Sequence, residues 1–262
     1  MKKLLSVLLL LTIFGFHALN VYAATQYSIL FASASSQYAT GGNYIDNPTN
    51  MTISFWIKNS DTTSTQMLVT KINTTSTNGQ GWVIFLTVGT LGWLIQQWTT
   101  TYVYVELVAN STYNDGAWHH IVATKTGNAI NLYVDNSDIA VTSYSDGTIS
   151  TITTSKSVIV GQVGNIDAGQ YANARIDDVR IWTRVLDTTE IGNLYADGCT
   201  FSNGSSLEAW WNFDNDYNDS SGNSRTLTPT NTPTFSSADV PYATCAAAAT
   251  VTAKPQPFLI FE

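Results

Sequence analysis

Charged side chains are scarce in this 262-residue sequence, since Asp, Glu, Lys and Arg together make up 11% of it. The formal net charge is −8, and the few Lys and Arg residues form no cluster. Phosphate contacts require a basic patch, so the composition predicts no binding to nucleic acid and no attraction to anionic lipid.

Side chains that carry catalytic chemistry are also few. After the first 23 residues the histidines are His119 and His120, which are adjacent and would point to opposite faces of a strand. Glycoside hydrolysis uses two carboxylates roughly 5–9 Å apart, and no Glu begins an alternating series of carboxylates along a strand. The sequence therefore predicts no catalytic residues, and a glycan hydrolase is kept as an alternative. The Glu residues are Glu106, Glu190, Glu208 and Glu262.

The first residues have the layout of a secretory signal peptide, residues 1–23. Lys2 and Lys3 precede the apolar run Leu4–Phe16, and small residues lead to a cleavage point after Ala23. A membrane anchor is the alternative, but a spanning helix needs roughly 20 apolar residues. We expect a secreted, periplasmic or cell-surface protein whose mature chain does not insert into a membrane.

Short alternating runs dominate the rest of the sequence. Met51–Lys58 alternates apolar and polar residues with a period of two, which is typical of a half-buried strand. Trp56 interrupts the polar face, which indicates either that this face is partly covered or that Trp56 is exposed for binding. Gly89-Thr90 suits a two-residue type II′ hairpin turn. Many short strands separated by turn residues predict an antiparallel sandwich. The predicted strands are Tyr27–Phe31, Met51–Lys58, Gln66–Ile72, Trp82–Val88, Leu91–Trp98, Tyr102–Val108, Trp118–Lys125, Ala129–Val134, Ser157–Val160 and Leu207–Phe213.

One helix interrupts this pattern, near residues 187–196. Asp187 and Glu190 have the spacing of a capping box, in which each side chain bonds the backbone N–H of the other residue. Ile191, Leu194 and Tyr195 then form an apolar stripe. The fold class predicted from the residues is all-β with one short helix.

Four segments resemble the laminin-G-like, or concanavalin A-like lectin/glucanase, jelly-roll family. They are Thr52–Ile57, Asp115–Ile121, Asn131–Asp135 and Arg175–Trp182 with the helix that follows. The resemblance implies a two-sheet antiparallel jelly-roll sandwich over residues 24–245, with a tail or linker over 246–262. It also implies that Trp118 lies in the core. A fifth segment, Trp211–Asp214, often precedes the first strand in relatives but comes last here, and is expected to complete the same sheet.

Calcium is predicted as an additional ligand, because it takes hard oxygen donors and the acidic residues cluster in loops. One candidate site combines Asp214, Asp219 and Asn223; Asp177 is a second candidate, on the apolar face of its strand with Val179. Its partner would be Arg175, Arg180, Arg184 or a cation. Hydrogen bonding and turn formation are the alternative roles of these residues.

Aromatic residues in or near loops are the candidate ligand-binding residues, because Trp and Tyr rings can stack on sugar rings. Packing in the core or between strands is the alternative for each. We therefore expect a non-catalytic module that binds carbohydrate or a cell-surface partner. A structural or adhesion domain that binds protein is the alternative. The candidates are Trp98, Tyr102, Tyr104, Tyr113 and Tyr171.

The two cysteines, Cys199 and Cys245, are predicted to form one disulfide in an oxidising compartment. Closing so long a loop contributes roughly 3–4 kcal/mol in the chain-entropy model. The intact mass of the secreted protein should increase by two hydrogens on reduction. An unchanged mass would instead indicate two free thiols.

Overall fold

The fold was analysed in a computed structural model. It describes residues 25–73, 79–98, 101–150, 152–163, 170–196 and 201–242. The predicted signal peptide and the tail lie outside these residues, as do Cys199 and Cys245.

Sixteen strands and one α-helix make up the described chain. The first eight strands are β1 Ser28–Phe31, β2 Tyr38–Thr40, β3 Asn50–Asn59, β4 Thr65–Asn73, β5 Gln80–Thr87, β6 Thr90–Trp98, β7 Tyr102–Thr112 and β8 Trp118–Thr126. The remaining elements are β9 Ala129–Val134, β10 Ser137–Asp138, β11 Val141–Ser145, β12 Ile159–Val160, β13 Ala174–Trp182, α1 Thr188–Ala196, β14 Leu207–Trp211, β15 Thr228–Thr230 and β16 Thr234–Ser236.

The strands form two eight-stranded antiparallel sheets, which confirms the predicted sandwich. Sheet A has the order β10-β9-β8-β3-β13-β1-β16, and β14 also pairs with β13. Sheet B has the order β11-β7-β6-β5-β4-β12-β2-β15. Apolar residues at alternate positions of both sheets meet between them, as expected for a sandwich. The largest side chains buried there include Phe31, Phe55, Trp82, Trp93 and Trp211.

Strand β13 joins the two ends of the described chain. Its first residues, Ala174 to Ile176, pair with β1, and its last residues, Val179 to Trp182, pair with β14 on the same edge. Asp214, just after β14, accepts a hydrogen bond from the backbone N–H of Tyr27 at 3.0 Å. The segment that precedes the first strand in relatives therefore completes the same sheet from the other end of the chain.

Helix α1 covers the outer face of sheet A. Glu190 N–H donates to the Asp187 carboxylate at 2.8 Å, and Asp187 N–H donates to the Glu190 carboxylate at 3.0 Å, which confirms the capping box. Ile191 and Leu194 are buried against Val122 of β8. No helix in the described part of the chain is both long and apolar enough to span a membrane.

The β5–β6 hairpin turns one residue earlier than the sequence indicates. Thr87 lies opposite Thr90, so the turn residues are Val88 and Gly89, with φ of 52° and 83°. Positive φ at both positions defines a type I′ turn, and the predicted type II′ turn at Gly89-Thr90 is wrong. Strands β2, β10, β11, β15 and β16 were not predicted, because they are short or polar.

A substitution at Val88 can stabilise the protein, because Val88 has an unfavourable backbone conformation in this turn. A β-branched residue in the left-handed region is strained, whereas Asn adopts it readily. Replacing Val88, which is 49% exposed, with Asn should raise the free energy of unfolding by about 1 kcal/mol in urea denaturation. Thr87→Asn, on the neighbouring strand position, is the control and should not stabilise the protein. Equal effects of both substitutions would contradict the assignment of the turn.

Candidate functional site

The outer face of sheet A is covered around Trp56 by α1 and Tyr242. Trp56, on β3, is 7% exposed and packs against His120, Tyr195 of α1 and Tyr242. The Trp56 indole N–H donates to the Tyr242 hydroxyl, which donates to the backbone oxygen of Leu194 at 3.1 Å. Trp56 is therefore covered rather than exposed for binding.

A buried polar layer lies beneath this cover. The Asp178 carboxylate accepts hydrogen bonds from Arg180 Nε at 2.9 Å and from Trp210 Nε1 at 2.7 Å. Ser54 Oγ lies 2.8 Å from His120 Nε2, but both side chains are about 1% exposed, so a substrate has no access to them. Burial, with Arg180 nearby, lowers the pKa of His120 to about 3. His120 is therefore a neutral packing residue.

Asp177 lies on this outer face, and the expectation that it shares a face with Val179 is wrong. Strand β13 contains a β-bulge, so that Asp178 and Val179 together face one residue of β3; Asp178 has a φ of 50°. The extra residue reverses the alternation and places Asp177 opposite Trp56. Its carboxylate accepts from the N–H of Asp178 at 2.8 Å.

The three arginines predicted as partners of Asp177 pair with other carboxylates. Arg175 lies 3.2 Å from Asp239, Arg180 2.9 Å from Asp178 and Arg184 2.7 Å from Glu190. Burial first, and then the neighbouring carboxylate of Asp178, raises the pKa of Asp177 well above its usual range.

The calcium candidates fall into two groups. Asp214 lies close enough to Asp177 to raise its pKa, and burial, with Asp178 and Asp216 nearby, raises the pKa of Asp214 to about 6. Asp219 accepts from the backbone N–H groups of Trp210 and Arg225, and Asn223 donates to the carbonyl of Leu207, which are the turn-forming roles. In the described ranges no three His, Cys, Asp or Glu side chains are grouped as metal ligands. Calcium binding stays a prediction.

The outer face of sheet B, in contrast, is open and aromatic. Directly opposed residues share a face, and the pairing of β6 with β7 places Trp98 opposite Tyr102 and Gln96 opposite Tyr104. The Trp98 and Tyr102 ring centroids are 6.1 Å apart, and Tyr102 stacks on Tyr104 at 5.5 Å. Three of the predicted ligand-binding residues are therefore adjacent. We call the surface of Trp98, Tyr102, Tyr104 and Tyr144 the aromatic face.

Polar groups lie beside the aromatic face. Tyr102 donates its hydroxyl to Gln96 Oε1 at 2.7 Å, and Glu106 lies one alternate position beyond Tyr104 on β7, opposite Tyr144. Tyr144 is 48% exposed. Burial raises the pKa of Glu106. Toward β4 the same side of the sheet continues as an apolar cluster, in which Ile72, Val83 and Val163 are buried and Met67, Phe85 and Leu94 are partly buried.

Tyr113 and Tyr171 do not belong to this surface. The Tyr113 ring meets His119 edge to face at 5.4 Å, beside the core. The centroids of the Tyr171 and Tyr38 rings are 6.3 Å apart. Tyr38 belongs to β2, which lies near the opposite edge of sheet B from β7 and β11.

Sequence reasoning missed Gln96, Glu106 and Tyr144 as members of the surface. Alternation along β7 was a usable signal for Glu106, since positions 102, 104 and 106 share one side of a strand. Tyr144 could not be found in this way because β11 was not predicted.

The molecule is thus a jelly-roll sandwich with one covered sheet and one open sheet that carries aromatic residues. The family model described as "Concanavalin A-like lectin/glucanases superfamily" matches residues 32–192, more than half of the chain. The chain belongs to this family.

Solved structures show the same fold at low sequence identity. A provisionally named carbohydrate binding protein from Bacteroides ovatus aligns with a TM-score of 0.60 and 11% identity over 81% of this chain. A heptameric SAP-like pentraxin from Limulus polyphemus aligns with a TM-score of 0.58 and 14% identity over 82% of this chain and 96% of its own. The chain spans 60% of the length of the Bacteroides protein. Comparison with curated protein sequences gives no match.

The raised pKa of Glu106 makes stability depend on pH at this surface. The folded chain holds the Glu106 proton more tightly than the unfolded chain. The protonated Glu106 therefore contributes to the free energy of unfolding at low pH, and this contribution is lost as the pH rises above 4.5, the usual pKa of a Glu side chain. The free energy of unfolding of the wild type, relative to Glu106→Gln, should therefore fall between about pH 4 and about pH 7. Urea denaturation across this range measures the difference, and a difference that does not change with pH would contradict the burial of Glu106.

Proposed function

We propose that the chain is a secreted, non-catalytic module that binds carbohydrate through the aromatic face of sheet B. The observation that carries the proposal is the row of adjacent rings on the outer side of sheet B, where Tyr102 stacks on Tyr104 and Trp98 packs against Tyr102 at a tilt. Ring faces that are held in place by neighbouring rings lose little conformational entropy on binding, and they match the apolar C–H faces of sugars.

Polar groups at the same place provide the second half of a sugar site. Glu106 offers carboxylate oxygen atoms to sugar hydroxyl groups at the edge of the rings, and the buried Gln96 holds the Tyr102 hydroxyl by accepting its hydrogen bond. Phe85 and Leu94 keep the adjacent surface apolar. Small-molecule sites combine mostly apolar contact with a few placed polar groups. Strands β4 to β7 and β11 carry Glu106 as the one charged residue on their outer side in the described ranges, so the surface is suited to neutral glycans.

The absence of catalysis is part of the proposal. Hydrolysis needs an acid and a second carboxylate across the scissile bond, and Glu106 has no such partner on the described strands of this face. The similarity to a carbohydrate binding protein and a pentraxin adds support through the fold alone. Secretion rests on residues 1–23, whose layout is that of a signal peptide.

Removal of one aromatic ring tests the proposed site. Tyr102→Ala should weaken binding of a neutral oligosaccharide, selected on a glycan array, by about tenfold in isothermal titration calorimetry. Tyr102→Phe keeps the ring but loses the hydrogen bond to Gln96, and should bind more tightly than Tyr102→Ala.

The matched control is Tyr171→Ala, which removes a tyrosine that lies away from the aromatic face. It should leave the affinity unchanged. Equal losses in Tyr102→Ala and Tyr171→Ala would exclude this surface. If the wild type binds no glycan with or without calcium, yet captures a surface protein, the adhesion alternative is supported instead.

A further inference from the structure

A cavity of about 230 Å³ lies beside sheet A, at the ends of β3 and β13. The C-terminal segment 237–242 crosses this end of the sheet, and Asp239 contributes to the cavity wall. The polar residues that line it are Lys58, Asn59, Ser60, Asn173, Arg175 and Asp239. It is far from the aromatic face, which belongs to the other sheet.

Three donors converge on Asp239 at the wall of this cavity. Its carboxylate lies 2.9 Å from Lys58 Nζ, 3.2 Å from Arg175 Nε and 3.0 Å from the indole nitrogen of Trp118. Burial opposes ionisation of Asp239, but the bonds from Lys58 and Trp118 outweigh it and lower the pKa of the carboxyl group. Trp118 is half-buried here, so the expectation that it lies in the core is wrong.

The cavity wall has more positive than negative charge. Lys58 and Arg175 are cations whose side chains are 34% and 21% exposed, and Asp239 neutralises one of them. Two further carboxylates lie outside the lining of the cavity: Asp115 bonds His119 Nε2 at 3.1 Å, and Asp61 accepts from the side-chain amide of the lining residue Asn173 at 3.4 Å. In a chain of net charge −8, this local surplus is unusual.

Donor capacity remains at the two cations. An ammonium group carries three N–H donors and a guanidinium group five, and Asp239 takes one bond from each of them. Arg175 makes one further long contact, 3.4 Å from Nη1 to Ser28 Oγ. The remaining N–H groups can bind a second carboxylate in the cavity, where partial burial strengthens charge-assisted hydrogen bonds.

We propose that this cavity binds a small hydroxylated carboxylate, such as a hexuronate residue of an acidic glycan. Lys58 and Arg175 bind the carboxylate, and the side chains of Ser60 and Asn173 bind hydroxyl groups. A surplus of one positive charge matches a monoanion rather than a doubly charged phosphate. The site is independent of neutral-glycan binding on sheet B.

Two substitutions test the proposal: one removes a positive charge from the cavity wall, and the other removes a negative charge. Titration of the full mature protein with sodium D-glucuronate, followed by NMR, should saturate, whereas D-glucose and the methyl ester of glucuronate should not. Lys58→Gln should weaken glucuronate binding by about tenfold. Asp239→Asn removes the internal negative charge but keeps an acceptor for Trp118, and should strengthen binding.

The controls separate this site from the aromatic face and from misfolding. Circular dichroism and the melting temperature establish that each variant folds. Tyr102→Ala should leave glucuronate binding unchanged, and Lys58→Gln should leave neutral-glycan binding unchanged. The proposal is overturned if glucuronate does not saturate, if the methyl ester binds equally well, or if both charge variants shift the affinity in the same direction.

Discussion

The buried ion pair between Asp178 and Arg180 determines how sheet A is closed. The Arg180 side chain is 1% exposed and that of Asp178 is 9% exposed, and loss of one partner in such a pair typically costs 3–5 kcal/mol. Asp178 also accepts from the Trp210 indole, and Arg180 stacks on the Trp210 ring at 4.2 Å. The pair therefore fastens β14 to β13, and because both charges are removed from water, these hydrogen bonds must offset the cost of their desolvation. The β-bulge at Asp178 is what directs both charges to the same outer face.

This closure leaves the two sheets with different roles. Around Trp56 the outer face of sheet A is covered by α1 and Tyr242, so the side chains there are committed to packing. Sheet B has a second face that nothing in the described chain covers around Tyr102 and Tyr144. A sheet whose outer side carries aromatic rings rather than the usual charged residues presents apolar surface to water at a cost, and such exposed surface generally marks an interaction site. The asymmetry between the sheets is therefore the structural basis for assigning the binding function to sheet B.

Much of this architecture could be predicted from the sequence, because turn residues separate its longer strands and several of these alternate. Residues 51–58 follow a period of two apart from Trp56, and Asp187 with Glu190 marks the start of the helix. The side of the sheet on which Asp177 lies could not be predicted. One extra residue in β13 reverses the orientation of every later side chain, and nothing in the local sequence indicates this extra residue.

For the candidate site, alternation brings Tyr102 and Tyr104 together, but Tyr144 lies on a short polar strand with no pattern of its own. Tyr113 and Tyr171 lie outside the aromatic face, because an abundance of aromatic residues does not indicate on which side of a sheet each one lies.

Scarcity of charge connects the two proposed sites. Several cations of the described chain are used internally: Lys71 pairs with Asp46 at 2.6 Å, and the Lys125 ammonium donates to the carbonyl oxygen of Pro48 at 2.9 Å. These contacts connect loops to the sandwich and leave few cations at the surface. No Lys or Arg of the described outer strands lies on the aromatic face, so we expect its ligand to be selected by shape and short-range stacking. At the cavity beside β3, by contrast, Lys58 and Arg175 share one counter-ion, so the remaining charge acts on a ligand within roughly a Debye length. If both proposals hold, the same shortage of charge favours neutral ligands at one surface and an anion at the other, and salt weakens only the binding of the anion.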